Sequence, residues 1–167
     1  MHVVTVIPAR GGRKSIPLKN IQMLADRPLV DYSIQYSLDC PLIAHTVVST
    51  DSEQIADIAR KCGAEVPFIR PEKYARDTTT DYPVFKHALD WLSINESYNP
   101  DMVIHLRPTT PLRDPEVIKS AVRCITDHPE ATALRSGHEA PESPFKWFLK
   151  DKEGYFKGLR DDLTPEK

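Results

Sequence analysis

Short, almost unbroken apolar runs alternate along the chain with stretches in which apolar residues recur every three or four positions. The runs 3–7, 45–49, 65–69, 102–106 and 132–134 predict strands covered on both faces, because a strand with one wet face would alternate with polar residues. Between them the helical period is legible, and so are the starts. Asp51 predicts a helix cap with Gln54 at the capping-box position; Ile55, Ile58, Ala59 and Cys62 then share a face and Gly63 ends the helix. Asp114-Pro115-Glu116 combines a capping carboxylate, a proline at the first helical position and an acid at the positive end of the dipole, ahead of a stripe of Val117, Ile118, Ala121, Val122 and Ile125. A third helix is predicted over about 82–94, burying Phe85, Ala88, Leu89 and Leu92, and a fourth after Pro28. Alternating strands and helices predict an α/β fold with a mostly parallel sheet, right-handed crossovers and a Rossmann-like strand order 3-2-1-4-5.

Beyond Ser136 the pattern weakens. "SGHEAPESPF" reads as loop, "WFLKDKEGYFKGL" as a hairpin turning at Glu153-Gly154, and "RDDLTPEK" as a charged end without a partner. The expected organisation is a core over 1–140 followed by the start of an extension over 141–167, the whole having the size of one domain.

Composition narrows the function classes. The 167 residues carry a net charge of −2, and the pI is about 6.3, so no basic face draws the chain to nucleic acid. No run approaches the roughly 18 apolar residues of a membrane span. Cys40, Cys62 and Cys124 form an odd set without paired spacing; Cys62 and Cys124 lie among apolar helical residues and read as buried thiols of a reducing compartment. These features predict a cytoplasmic protein with neither nucleic-acid nor membrane partners. No His/Cys spacing supports zinc.

Against that near-neutral background, "VVTVIPARGGRKSIPLKN" packs Arg10, Arg13, Lys14 and Lys19 directly behind the first strand. The loop after the first strand of a doubly wound sheet lies at the carboxyl edge, where ligands bind. Adjacent Gly11 and Gly12 allow a backbone to approach phosphate oxygens, and the cations can neutralise them. It is not a P-loop, since Arg13 stands where a glycine must precede the lysine, and no G-x-G-x-x-G is present. A surface turn with solvated cations is the plain alternative.

The segment "IPARGGRKSIPLKN" resembles the A-R-x-G-S-K-x-[IL]-P-x-K-N signature of the acylneuraminate cytidylyltransferase family, and "VVSTDSEQIADIARKCGAEV", "RPEKYARDTTT", "HLRPTTPLRDPE" and the region near 145–159 follow in the family's order. The resemblance runs through essentially the whole chain. It implies a three-layer αβα fold of the nucleotide-diphospho-sugar transferase type, and attack of a sugar hydroxyl on the α-phosphate of CTP to give a CMP-sugar and pyrophosphate. The sugar would be an acidic nine-carbon one of the sialic, legionaminic or pseudaminic type. Arg13 replaces the family's usual Ser, Ser15 its Gly, and Arg107 the Gln of L-Q-P-T-S-P-L-R. The last departure keeps two relatives open, a guanylyl and a deoxyoctulosonate cytidylyl enzyme.

By resemblance, Arg10 and Lys19 are the catalytic contacts to the triphosphate, assisted by Lys14, with Ala9, Gly11 and Gly12 shaping the cradle. Asn20 and Arg70 are implied to line the nucleotide site. Asp77, Thr78 and Thr79 are either ligand contacts or a helix start, and one segment can do both. Arg107 and Thr109 are assigned to the sugar, a guanidinium being a bidentate partner for its carboxylate. Arg113 reads as structural or interfacial and His105 as a core residue. The resemblance also implies Mg2+, held by a D-x-D-like segment that follows an N-G pair in the family; this sequence stops before one, and Asp161-Asp162 does not match it. Three readings follow: a chain lacking the family's C-terminal part, a complete protein whose metal ligands come from elsewhere, or a non-catalytic nucleotide-binding module. Family members commonly dimerise through a region beginning near residue 167, which leaves a homodimer open.

Overall fold

The computed structural model describes residues 1–12, 16–137, 139 and 148–158. They fall into two compact units, Met1–Pro129 and Glu130–Lys167. In the first unit β1 (Val3–Pro8) is central and pairs in parallel with β4 (His45–Ser49) on one side and β5 (Met102–His105) on the other. The registers Val6↔Val47 and Val4↔Val103 fix the three strands. Both faces of β1 are covered, and Val3, Val4, Thr5, Val6 and Ile7 are all buried. Strand periodicity divides its residues between two clusters. Ile7 and Val48 pack with Val30 and Ile34 of α1 (Leu29–Leu38), Ile55 and Ala59 of α2 (Glu53–Lys61) and Ile118 of α4 (Pro115–Thr126). Val4 and Val47 pack with Leu92, Leu89 and Trp91 of α3 (Asp81–Glu96). The result is a three-layer αβα arrangement around a mostly parallel sheet, in which each fully buried Val or Ile contributes about 1.5–3 kcal/mol.

Two short strands that the pattern does not predict, β2 (Met23–Leu24) and β3 (Arg27–Pro28), form an antiparallel ribbon ahead of α1, turning at Ala25 with φ 55°. In the second unit β6 (Phe148–Lys150) and β7 (Phe156–Gly158) make the expected hairpin, with Gly154 in the left-handed region at φ 94°. The rest of the expected extension, residues 141–147 and 159–167, lies outside the described residues.

Several expectations are corrected. Segment 65–69 is not a full strand: it touches β4 through isolated parallel bridges, Val47↔Glu65 and Thr50↔Ile69, because Pro67 between them has no N–H to donate. With β4, β1 and β5 it reproduces the order 3-2-1-4. The fifth predicted strand, 132–134, has no strand structure, and Leu134 is exposed. The cap of α2 is Ser52, whose Oγ accepts from Ile55 N–H at 3.4 Å, rather than Asp51, which is engaged elsewhere. Asp114 caps α4 as predicted, accepting from Glu116 N–H at 2.9 Å. Val117 and Cys124 point away from the buried Ile118 and Val122 and are exposed, while Cys62 is only partly covered. His105 ends β5 exposed, its ring against Phe85, and is not a core residue.

Candidate functional site

A cavity of about 400 Å³ opens at the carboxyl ends of β1 and β5. In open α/β sheets the loops at this edge are free of sheet packing, and ligands bind there. Pro8 and Arg10 enter it from β1, Asn20 from the one-turn helix Lys19–Ile21, and Arg107, Pro108 and Thr109 from the loop after β5. Arg70 follows the bridge to Thr50, Tyr74, Arg76, Asp77 and Thr79 come from the connection to α3, and Asp81 and Val84 from the first turns of α3 itself. Four arginines against two aspartates leave the lining net positive. Such a surface selects an anionic ligand.

The loop after β1 is held in place by its own neighbours. Ala9 is fully buried and extends the ladder, donating its N–H to Ser49 O at 2.9 Å. Asn20 is buried and donates through Nδ2 to Arg10 O at 2.9 Å, fixing the backbone from which Arg10 projects. The Arg10 guanidinium meets Asp77 Oδ1 at 2.7 Å and donates to Ala75 O at 3.3 Å, so it ties the loop to the connection before α3. Gly11 N–H donates to Asp51 Oδ1 at 2.9 Å. That amide therefore already has an anionic acceptor within the protein. A Cβ at Gly11 would stand 2.9 Å from Ser52 Cβ, whereas nothing lies within 4 Å of one at Gly12. Close approach to the start of α2, and not a left-handed backbone, is what requires glycine at position 11.

Arg70 is the most buried arginine of the lining. Its side chain is 3% exposed, and Asp51 Oδ1 lies 3.8 Å from Nη2, close enough for charge compensation but too far for a hydrogen bond. Nε and Nη2 are buried without a hydrogen-bond partner among the described residues. Burial pushes the Arg70 pKa below its ordinary value, Asp51 opposes the shift and Arg10 adds to it. His87, edge-on to Phe68 and near Tyr74, is likewise pushed down by burial, and the charges of Arg70 and Lys73 act in the same direction. At the opposite wall Arg107 Nη2 donates to Asp81 Oδ2 at 2.5 Å, and its carbonyl accepts from Arg113 Nη2 at 2.6 Å and Ser33 Oγ at 3.3 Å. Arg113 also donates to Ser33 Oγ at 3.0 Å and lies over the Tyr36 ring, fastening this loop to α1.

Of the residues singled out from sequence, the structure brings Arg10, Asn20, Arg70, Asp77, Thr79, Arg107 and Thr109 into one cavity. Ala9, Gly11, Gly12, Lys19 and Thr78 do not line it, and Lys14 lies outside the described residues. Tyr74, Arg76 and Asp81 were not anticipated. Arg76 stands directly before Asp77 in a quoted stretch, which is the readable signal; Asp81 falls between that stretch and the helix predicted from 82. Among the described residues no three His, Cys, Asp or Glu side chains converge on a possible metal position.

The chain is 42% identical over 124 residues to the CMP-N,N'-diacetyllegionaminic acid synthase of Legionella pneumophila, covering 73% of this chain and 52% of the relative. It is 38% identical over 122 residues to the pseudaminic acid cytidylyltransferase of Campylobacter jejuni, covering 72% and 52%. The chain thus spans about half the length of these relatives. Among solved structures, CMP:2-keto-3-deoxy-manno-octonic acid synthetase complexed with CTP superposes with a TM-score of 0.64 at 19% identity, covering 77% of this chain and 49% of that one. The 4-diphosphocytidyl-2C-methyl-D-erythritol synthase of Anaerococcus prevotii gives 0.63 at 14% identity, covering 99% and 64%. At such identities they speak for the fold alone. The family model described as cytidylyltransferase matches residues 4–148, most of the chain, and the chain belongs to that family.

Proposed function

We propose that this chain provides the nucleotide-binding core of an enzyme that couples CTP to an acidic nine-carbon sugar of the sialic, legionaminic or pseudaminic type. The observation that carries the reading is the four-arginine cavity at the carboxyl edge of the parallel sheet. The names of the relatives supply the sugar class. In the reaction a sugar hydroxyl oxygen forms the new bond to the α-phosphorus, the bond from that phosphorus to the bridging oxygen breaks, pyrophosphate leaves with its electron pair, and the hydroxyl proton passes to solvent. Transfer of this kind depends on alignment and charge stabilisation more than on covalent help from the protein.

Arg10 exchanges its contact with Asp77 for the triphosphate, and Lys19 and Lys14 add charge from the same loop. Arg70, buried, orients the nucleoside end together with Asn20; Arg107 and Thr109 face the sugar. A protein-held Mg2+ does not fit the described residues: the cavity carboxylates Asp77 and Asp81 are each engaged by an arginine, and no third donor joins them. No step is therefore routed through the metal. We further place the protein in the cytoplasm. Its thiols are free, with Cys124 exposed, as suits a reducing compartment, and no helix among the described residues is long and apolar enough to cross a membrane.

Thermal shift against CTP, GTP, UTP and ATP, each with and without Mg2+, tests the nucleotide half. A ligand at about 100 times its Kd adds roughly 2.7 kcal/mol, on the order of 5 °C for a chain of this length. Selective stabilisation by CTP is expected. Preference for GTP, or no shift with any nucleotide, overturns the reading.

A further inference from the structure

We propose that Asp81 is a specificity-determining residue at the sugar end of the cavity, its carboxylate competing with the ligand's own for Arg107. The inference rests on the functional reading above and adds to it an internal competitor. Arg107 is not a loose surface cation. Its backbone carbonyl is clamped by Arg113 and Ser33, so the side chain starts from a fixed point on the loop after β5. Asp81 is equally fixed, being the first residue of α3, where a carboxylate is favoured by the helix dipole. The two meet at 2.5 Å across 26 residues of sequence, on the wall of the cavity rather than away from it. The first residue of a long helix thus places a carboxylate on the very guanidinium that an acidic ligand would use.

Asp77 stands in the same relation to Arg10, so one stretch of chain supplies internal anions to two of the cavity's four arginines. Side-chain exposure of 59% for Arg107 and 53% for Asp81 makes their pair exchangeable. An exposed pair of this kind holds its arginine weakly, so a ligand carboxylate can replace it, with an apparent affinity lowered by the fraction of time the arginine is occupied. Asp81 thereby sets how strong an acidic ligand must be to take the site.

The test is calorimetric titration of the full chain, with CTP present, using N-acetylneuraminic acid and its methyl ester as probes. Asp81→Asn is expected to bind the acid about two- to fivefold more tightly, the range set by an exposed pair, and the ester as the wild type does. Arg107→Gln is expected to lose the preference for acid over ester, and Asp81→Asn on that background to gain nothing. Unchanged or weaker binding of the acid by Asp81→Asn overturns the proposal, as does an equal gain for the ester. If CTP binds but no variant binds the acid, the assignment of this wall to an acidic sugar falls with it. If the wild type does not bind CTP, the functional reading itself is what has failed.

Discussion

Arg70 and Arg107 each face an aspartate at the margin of one cavity, yet the first side chain is 3% exposed with its partner at 3.8 Å and the second is 59% exposed with its partner at 2.5 Å. The shorter contact belongs to the weaker interaction. Water screens Arg107 and Asp81, so their proximity is worth at most about 1 kcal/mol. Arg70 has given up hydration without recovering it in hydrogen bonds, since Nε and Nη2 have no partner among the described residues, and Asp51 compensates its charge. One wall buries an under-compensated charge that an incoming acceptor can satisfy; the other is exposed and exchangeable.

Removing the aspartate from the buried wall sharpens that contrast most. Asp51→Asn is expected to destabilise the chain by about 2–3 kcal/mol, below the 3–5 of a fully buried pair because Asp51 is 25% exposed and does not hydrogen-bond Arg70. Thermal unfolding should fall by roughly 4–12 °C for a chain of this length. An asparagine oxygen can still accept from Gly11 N–H, so Asp51→Ala should cost more than Asp51→Asn. A loss below about 0.5 kcal/mol for Asp51→Asn would mean that Arg70 does not depend on Asp51.

The two walls also differ in how far the sequence announces them. Binary pattern located β1, β4, β5 and, among the described residues, the four α-helices, because buried parallel strands and amphipathic helices leave apolar residues at fixed periods. It also put Arg70 and Arg107 at strand ends, hence at one edge. What it could not carry was which carboxylate reaches which arginine. Asp51 precedes α2 and reads as its cap; Ser52 takes that role, and Asp51 turns to Gly11. That choice depends on the path of the loop after β1, to which local propensity is blind. Asp81 and Arg107 lie on different elements 26 residues apart, and only the sheet brings them together. Pro67 shows the complementary limit, where an apolar run is present but one missing N–H breaks the ladder.

Gly11 and Gly12 extend the comparison to the backbone. Gly11 is joined to the buried wall through Asp51, and a methyl group there would press on Ser52 Cβ at 2.9 Å; Gly12 has open space. Neither has a left-handed φ, so sterics alone separates them. Gly11→Ala is expected to lose about 1–3 kcal/mol through overpacking against the cap of α2, together with strain on the Asp51 hydrogen bond. Gly12→Ala should stay within about 0.5 kcal/mol of the wild type. Denaturant midpoints for the two variants decide the matter, and equal losses would show that the loop moves as a unit rather than resting on α2 at Gly11.

The smallest effect is expected at the exposed wall. Asp81→Asn removes the closest arginine contact in the cavity, but the uncovered guanidinium returns to water rather than to an apolar interior. A loss of at most about 1 kcal/mol follows, part of it from the weaker dipole interaction at the start of α3. Raising the salt concentration should shrink even that difference, because exposed charges are screened within about a Debye length. The same salt series should shrink the Asp51→Asn loss far less, since a largely buried pair is screened much less than an exposed one. If unfolding midpoints show Asp81→Asn to be as costly and as salt-insensitive as Asp51→Asn, burial is not what separates the two arginines, and Asp81 is a fixed part of the fold rather than a carboxylate poised for exchange.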